Sequence, residues 1–207
     1  MKILLATTSR HKCAEIQGLL ADVPDLQLET LERYPATEAP EENGETMAQN
    51  ARIKAQFYAT HFAALVLADD SGLEVNALDG APGVHSARWV EGSDNDRVVA
   101  LLQKLEEVDD ENRGARYRCA LCLATPDAVL LEVEGTCEGQ IGREMRGQNG
   151  FGYDPIFEIT LASGAPSPFL GQTMAQVPPE IKAQISHRAS AARQLGQKLK
   201  HLGPISL

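Results

Sequence analysis

Two adjacent carboxylates, Asp69 and Asp70, follow the continuous apolar run at 64–68. Such a run is typical of a buried strand, which would deliver the two side chains at its carboxyl end. Burying two charges side by side is unfavourable unless a cation or a shared proton relieves them. Mg²⁺ prefers a few carboxylates together with water and phosphate oxygens, which suits Asp70 with help from a carboxylate in the 38–45 loop. A solvated acidic turn is the alternative interpretation.

Lys12 lies where a phosphate could bind. It opens the first predicted helix directly after Thr7, Thr8 and Ser9, a loop rich in hydroxyl groups and backbone N–H donors. A phosphate could sit against the N-terminus of this helix with the ammonium beside it. The loop is not a Walker motif, because G-x-x-x-x-G-K-[ST] is absent from the sequence. A solvent-exposed surface lysine is the alternative.

A glycine-rich stretch at 139–152 predicts an irregular loop with unusual backbone angles or close approach to a ligand. Phe151, Tyr153 and Asp154 end it, and an aromatic face held there could stack on a nucleobase. A core aromatic plug that closes the loop is the alternative. His187 and Arg188 begin the last predicted helix, where donors collect, although a histidine at a helix start is usually only a neighbour of the cap. Together these features describe a nucleotide site.

Hydrophobic periodicity predicts the elements that must position these residues. A strand at 3–6 leads through the polar loop into a helix that ends at Pro24, and an alternating strand follows at 26–30. Thr46 and Gln49 fit a capping box for a helix reaching Phe62. A further helix begins at Ser93 or Asp94, a hairpin turns at 125–128, and the last helix runs from Ser186 to the Gly203-Pro204 terminator. The pattern predicts an α/β fold, a mixed, elongated sheet flanked by helices.

Composition excludes several classes of protein. The 207 residues fit one domain, predicted to span 1–207 with two lobes. The 19 basic and 29 acidic residues give a net charge of −10, which disfavours binding to polynucleotides. The four scattered cysteines suggest a reducing compartment, and Cys119 and Cys122 are expected to be buried and structural. No run approaches the roughly 18 apolar residues of a membrane span, so we expect a cytoplasmic protein that does not bind membranes.

The same residues carry a family resemblance that spans the chain. The sequence resembles the inosine triphosphate pyrophosphatases, also called non-canonical purine nucleoside triphosphate pyrophosphatases. The blocks that carry it occur in the order ENGET at 42–46, NARIKA at 50–55, DDSGL at 69–73, GAPGVHSAR at 80–88, GFGYDPIF at 150–157 and SHR at 186–188. Each block would be weak alone, but this order is highly specific.

The resemblance implies a homodimeric, Mg²⁺-dependent hydrolase. It would cleave ITP, dITP and XTP between the α and β phosphates, and the fold would have two lobes around a central cleft. By resemblance, Asp70 matches the general base and a metal ligand, and Glu42 matches the second metal ligand. The residues implied to bind substrate are Thr7, Thr8, Ser9, Arg10 and His11 of the first loop, Lys12, Lys54 and Lys182 on the triphosphate, Ser71 beside the base, and Phe151, Gly152, Tyr153, Asp154, His187 and Arg188 around the purine.

Four positions depart from the family pattern. Thr8 and Ser9 stand where the family usually has Gly and Asn, Met47 replaces Phe, and Gln49 replaces Glu. Two alternatives therefore stay open beside the purine pyrophosphatase. One is a pyrophosphatase for modified pyrimidine nucleotides, as in the distantly similar Maf group. The other is a nucleotide-binding sensor without turnover, which Ser9 and Gln49 would motivate.

Overall fold

The computed structural model of the protein describes residues 1–202. In this part of the chain, six strands and five α-helices follow one another, with short 3₁₀ turns between several of them. They are β1 (Lys2–Ala6), α1 (Arg10–Leu19), β2 (Gln27–Thr30), α2 (Met47–Phe62), β3 (Val66–Val75), α3 (Asp94–Lys104), β4 (Gly114–Ala124), β5 (Val129–Ile141), β6 (Phe157–Ile159), α4 (Pro179–Ile185) and α5 (His187–Leu199).

The strands form one mixed sheet in the order β2-β1-β3-β4-β5-β6. β1 pairs in parallel with both β2 and β3, whereas β5 and β6 are antiparallel. The predicted α/β fold with a mixed sheet is therefore confirmed. Parallel neighbours require helical crossovers, and α1 and α2 lie in the two segments that return the chain to β2 and β3.

The chain divides into two compact units. Unit 1 comprises Met1–Asp70, Cys119–Gly135 and residues 188–202, and unit 2 comprises Ser71–Arg118 and Thr136–His187. β3, β4 and β5 each begin in one unit and end in the other. The prediction of two lobes around a central cleft, within one domain spanning 1–207, stays a prediction.

Unit 1 has its own apolar core around its parallel strands. β1 and the first half of β3 are buried on both faces, and one face of each strand packs against α1 and α5 through a shared cluster. That cluster includes Ile3, Leu5, Ile16, Leu20, Leu65, Leu67, Leu121, Ala191 and Leu195. α1 begins where Ser9 Oγ accepts a hydrogen bond from Lys12 N at 3.4 Å, so the cap also fixes the backbone that carries Lys12.

Unit 2 has a second core built on α3 and the β5-β6 pair. α3 starts with a capping box in which Ser93 and Asp96 bond to each other's backbone N–H. Its apolar face joins a cluster that includes Leu73, Val75, Val98, Leu101, Leu105, Tyr117, Ile141, Tyr153, Phe157 and Ile185. The predicted helix at this position is confirmed.

Three sequence predictions need correction. The buried strand does not stop at 68, because β3 continues through the acidic pair to Val75. Gly139 lies in β5 rather than in a loop; a side chain there would meet Phe157 of the neighbouring strand. The capping box at Thr46 is half formed: Thr46 Oγ1 accepts from Gln49 N, but the Gln49 side chain accepts from Glu45 N.

The first helix ends at Leu19 rather than at Pro24, and the predictions that follow hold or lie beyond the described residues. The turn at 125–128 joins β4 to β5, with Thr125 N donating to Ala128 O at 2.9 Å, and Cys119 and Cys122 are buried in β4. α4 and β6 were not predicted. Gly203-Pro204 lies outside the described residues. No helix within 1–202 is long and apolar enough to cross a membrane.

Truncation of Leu101 should test the core of unit 2. Leu101 is fully buried on α3, and Leu101→Ala should lower the free energy of unfolding by about 2–5 kcal/mol because it leaves a cavity. Val99 on the same helix is 40% exposed, so Val99→Ala should change it by less than about 0.5 kcal/mol. Urea unfolding followed by circular dichroism measures both, and equal losses would contradict the described burial.

Candidate functional site

The carboxyl end of β1 and the middle of β3 bring the predicted phosphate loop and the acidic pair together in unit 1. β1 is paired with β3 as far as Ala6 and Ala68, so Asp69 and Asp70 lie directly beyond the end of β1, where the loop to Lys12 begins. The chain leaves β1 toward β2 on one side and returns to β3 on the other. Ligands of open α/β sheets bind at this kind of switch point.

Asp69 and Asp70 do not share one environment. Successive side chains of a strand point to opposite faces of the sheet, so the continuation of β3 through the pair separates the two carboxylates. Asp69 faces residues of α1 and α5, whereas Asp70 faces α2. Both are buried, with 1% and 7% exposure. The two carboxylates are therefore not buried side by side, and the alternative of a solvated acidic turn is wrong.

Asp69 is held by two cations and a thiol. Its Oδ1 lies 2.5 Å from Lys12 Nζ, and its Oδ2 lies 3.3 Å from Arg188 Nε and 3.1 Å from Cys119 Sγ. Burial alone would raise the pKa of Asp69, but Lys12 and Arg188 lower it well below its usual value. Burial raises the pKa of Cys119 well above its ordinary range, so its S–H donates to the carboxylate. Asp69 is a fixed anion.

Asp70 keeps one oxygen available for chemistry. Its Oδ1 accepts a hydrogen bond from Lys54 Nζ at 3.1 Å, and the same Nζ lies 3.2 Å from Glu42 Oε2. Its Oδ2 is buried and has no hydrogen-bond partner among residues 1–202. Burial raises the pKa of Asp70, with Lys54 and Lys12 opposing and Glu42 and Asp69 reinforcing the shift. Such a carboxylate suits a base or a ligand better than Asp69 does.

A buried amide fixes the loop that carries Glu42. Asn50 on α2 is fully buried, and its Oδ1 accepts a hydrogen bond from Gly44 N at 2.8 Å. A side chain at Gly44 would meet that oxygen, so glycine lets the loop approach α2 closely. Lys54 lies one helical turn further along α2, which places Glu42 over the ammonium.

The residues present fit a magnesium ion. Mg²⁺ needs only one or two protein carboxylates when water and phosphate oxygens complete its coordination. Asp70 and Glu42 both contact one ammonium, and the buried Asp70 Oδ2 is an unsatisfied acceptor that a cation would satisfy. Groups of three or more histidine, cysteine or acidic side chains suited to a metal do not occur in residues 1–202.

Unit 2 contains a second cluster of predicted site residues, organised by Asp154. This buried carboxylate accepts hydrogen bonds from Lys182 Nζ at 2.6 Å, from Phe151 N at 2.9 Å and from Tyr117 Oη at 3.3 Å. Lys182 Nζ also lies 4.7 Å from the centre of the Phe151 ring, within cation–π range. Lys182, implied as a triphosphate contact, thus lies with the residues implied for the purine.

The loop before Asp154 depends on glycine at Gly150. Its φ is +77°, and a side chain there would overlap the Asp154 carboxylate. Phe151 is half-buried, but Tyr153 is a core residue: it is 4% exposed and its Oη donates to Ser86 O at 3.0 Å. Burial raises the pKa of Tyr153 to about 12. The core-plug alternative therefore describes Tyr153 better than the purine-pocket interpretation.

The other predicted residues are distributed over both units. In the first loop Thr8, Arg10 and His11 are exposed, Thr7 Oγ1 accepts from Ser9 N at 3.2 Å, and Arg10 pairs with Glu32 at 3.8 Å. In unit 2, Ser71 follows Asp70 in β3, Gly152 N donates to Asp94 Oδ2 at 2.8 Å, and the buried His187 ring stacks on Tyr117 at 4.7 Å. Their roles toward a ligand stay predictions.

Arg188 is buried and forms two ion pairs within the protein, which the sequence did not indicate. It is 1% exposed, with Nε on Asp69 and Nη1 on Glu15. Sequence reasoning missed Glu15 and Tyr117 altogether. Sequence spacing alone could have indicated both residues. Glu15 lies one turn after Lys12 on α1, and Tyr117 lies two residues before Cys119, on the same face of the strand. The prediction that Arg188 donates to a purine oxygen stays a prediction.

Neutralising Asp69 should destabilise the protein in a pH-dependent way. Asp69→Asn removes the buried carboxylate that faces the buried Arg188 and the partly exposed Lys12, and it should lower the free energy of unfolding by about 3–5 kcal/mol at pH 7. Because the folded pKa of Asp69 is depressed, its contribution exists above its ordinary pKa of about 3.9 and is lost as pH falls below it. The difference from wild type should narrow below about pH 4.

Urea unfolding at pH values from 7 to 3 measures this difference. Asp127→Asn, at an exposed turn position, is the matched control and should leave stability unchanged. A difference between Asp69→Asn and wild type that is the same at pH 3 and pH 7 would contradict the assignment of Asp69 as the ionised member of the pair.

Comparison with known proteins agrees with the resemblance seen in the sequence. The model of the Ham1 family matches residues 3–198. A dITP/XTP pyrophosphatase of Exiguobacterium sp. strain AT1b is 45% identical over 94% of this chain and 95% of its own length. One from Listeria monocytogenes is 42% identical over 96% of this chain and 94% of its own length.

Solved structures agree. A HAM1 protein from Coxiella burnetii superposes with a TM-score of 0.84 at 38% identity, covering 98% of this chain and 100% of the other. The Ham1 protein of Staphylococcus aureus gives 0.82 at 35% identity over 97% and 99% of the two chains. The matches extend over both units, the acidic pair and the Phe151 loop. The chain belongs to the Ham1 family.

Proposed function

We propose that the protein hydrolyses the non-canonical purine nucleoside triphosphates dITP, XTP and ITP to the monophosphate and pyrophosphate. The observation that carries the proposal is the buried, unsatisfied Oδ2 of Asp70 beside the ammonium of Lys54 and next to the fixed Asp69–Lys12 pair. Relatives at 42–45% identity named dITP/XTP pyrophosphatase support the choice of substrate.

The unit 1 residues supply the phosphate chemistry. Lys12 and Lys54 offset the charge that develops on the phosphate oxygens in the transition state. Asp70 orients the attacking water and accepts its proton as the water oxygen bonds to the α-phosphorus and the bond to the pyrophosphate breaks. Its raised pKa brings this base closer to the operating pH. Asp69, which is saturated by its partners, does not compete for the proton.

Asp70 and Glu42 are proposed to hold Mg²⁺. When bound, the ion would supply Lewis-acid stabilisation of phosphate oxygens. Lys54 contacts both carboxylates, so it balances their charge.

Base recognition is assigned to the Phe151 cluster. The half-buried ring, held by Gly150 and Asp154, offers a stacking face. Donors aimed at a 6-keto oxygen would reject ATP, because its amino group leaves them unpaired.

Three further properties are proposed with the same function. The family resemblance supports a homodimer, cysteine usage supports a cytoplasmic location, and net charge supports the absence of polynucleotide binding.

A substrate panel tests the proposal. With Mg²⁺, purified protein should release pyrophosphate from dITP, XTP and ITP at least about 100-fold faster than from ATP. Asp70→Asn should lower kcat/KM for the preferred substrate by about 10²–10⁴-fold, because the base is removed. Asp22→Asn, an exposed position of the same unit, should leave it unchanged.

The same panel separates the alternatives. Equal rates on ATP and ITP would reject the purine selectivity. Faster turnover of methylated pyrimidine triphosphates would favour the modified-pyrimidine enzyme, and tight ITP binding by calorimetry without pyrophosphate release would favour the sensor.

The metal assignment predicts a specific effect of Glu42. Glu42→Gln should raise the Mg²⁺ concentration needed for half-maximal activity by about tenfold or more, since one charged ligand is lost. Glu38→Gln, an exposed position in the same loop, is the control. Activity titrated with Mg²⁺ after removal of metal by a chelator measures both. Equal magnesium requirements in the two variants would remove Glu42 from the metal site.

A further inference from the structure

Four charges of alternating sign close a ring in unit 1. Lys12 Nζ contacts Asp69 Oδ1 at 2.5 Å, Asp69 Oδ2 contacts Arg188 Nε at 3.3 Å, and Arg188 Nη1 binds Glu15 Oε2. Glu15 lies three residues after Lys12 on the same face of α1, so the backbone of this helix connects the two ends and closes the ring. The ring therefore joins α1, β3 and α5.

The charged side chains of the ring differ in their exposure to solvent. The side chains of Asp69 and Arg188 are 0% and 1% exposed, whereas those of Lys12 and Glu15, both on α1, are 20% and 25% exposed, and Lys12 is the cation of the exposed pair. Lys12 is therefore the cation through which the ring meets solvent at the carboxyl end of β1. The backbone of Lys12 is also fixed, because its N–H donates to the Ser9 cap. The buried members, Asp69 and Arg188, hold the Lys12 ammonium in place.

Stability alone is a weak explanation for such a ring. The cost of removing charges from water can exceed their mutual attraction, and apolar side chains of similar size join elements at least as well. A charged ring does what an apolar contact cannot: it restricts a flexible lysine to one position and holds its charge there. A cation held in a fixed position beside a polyphosphate stabilises the transition state of its hydrolysis more than a mobile cation does.

We propose that Glu15 and Arg188 are positioning residues that act through Asp69 to hold Lys12 for the polyphosphate of the substrate. The inference rests on the proposed function, and it gives Arg188 a task that does not depend on the purine base. Loss of Glu15 releases Arg188, which loosens Asp69 and then the Lys12 ammonium. Every nucleotide is then bound and turned over less well by the same factor.

A double-mutant cycle on polyphosphate binding tests the coupling. Calorimetry with inorganic tripolyphosphate and Mg²⁺ is applied to the full chain as wild type, Glu15→Gln, Lys12→Met and the double variant. We expect each single change to weaken binding by about tenfold and the double variant to bind no more weakly than Lys12→Met. Glu132→Gln is the control, because it breaks an Arg52 ion pair of the same unit without touching the ring. Multiplicative losses in the double variant would overturn the proposal.

Selectivity provides a second readout that a merely structural role would not give. Arg188→Lys keeps the charge but cannot span both carboxylates, so kcat/KM should fall by the same factor for ITP and ATP. A fall confined to ITP would overturn the proposal and make Arg188 a purine donor.

If Glu15→Gln does not fold, Glu15→Asp replaces it in the cycle. If the wild type hydrolyses no nucleotide, the proposed function fails, but the tripolyphosphate cycle still decides whether Glu15 acts through Lys12.

Discussion

The alternation of side chains along β3 is the constraint on which the unit 1 site depends. Two carboxylates in succession would repel each other in one environment, but a strand sends them to opposite faces. Asp69 meets Lys12 and Arg188 on one face, and Asp70 meets Lys54 on the other. The two residues therefore have different protonation chemistry from identical side chains, with the pKa lowered at Asp69 and raised at Asp70.

This division explains the topology around it. Cations must reach β3 from both faces, so helices are required on both, and the parallel order β2-β1-β3 provides them through its crossovers. α1 and α5 bring the ring to one face, and α2 brings Lys54 to the other. Unit 2 uses one buried carboxylate in a similar way: Asp154 holds Lys182 and Phe151 in place. Each cluster is organised around an aspartate that its own neighbours satisfy.

Local sequence was sufficient for most elements and for the family, because caps and periodicity are encoded within a few residues. Thr46 and Ser93 mark helix starts that the structure contains. The predicted end of β3 was wrong because Asp69 and Asp70 were interpreted as the end of the strand. Cations neutralise these carboxylates inside the sheet, so the strand continues through them. The partners of Arg188 lie 119 and 173 residues away in the chain. No periodicity within a window reveals such contacts.

Two departures from the family pattern, Ser9 and Gln49, make hydrogen bonds to the backbone that the usual residues would also make. Ser9 caps α1, and serine and asparagine are about equally good at that position. Gln49 uses an amide oxygen to accept from Glu45 N at 2.7 Å, a bond that a carboxylate would make in the same place. Met47 is buried and keeps an apolar side chain in the core. Because none of these changes leaves a donor unsatisfied or disturbs Asp70, they give no structural reason for a loss of turnover.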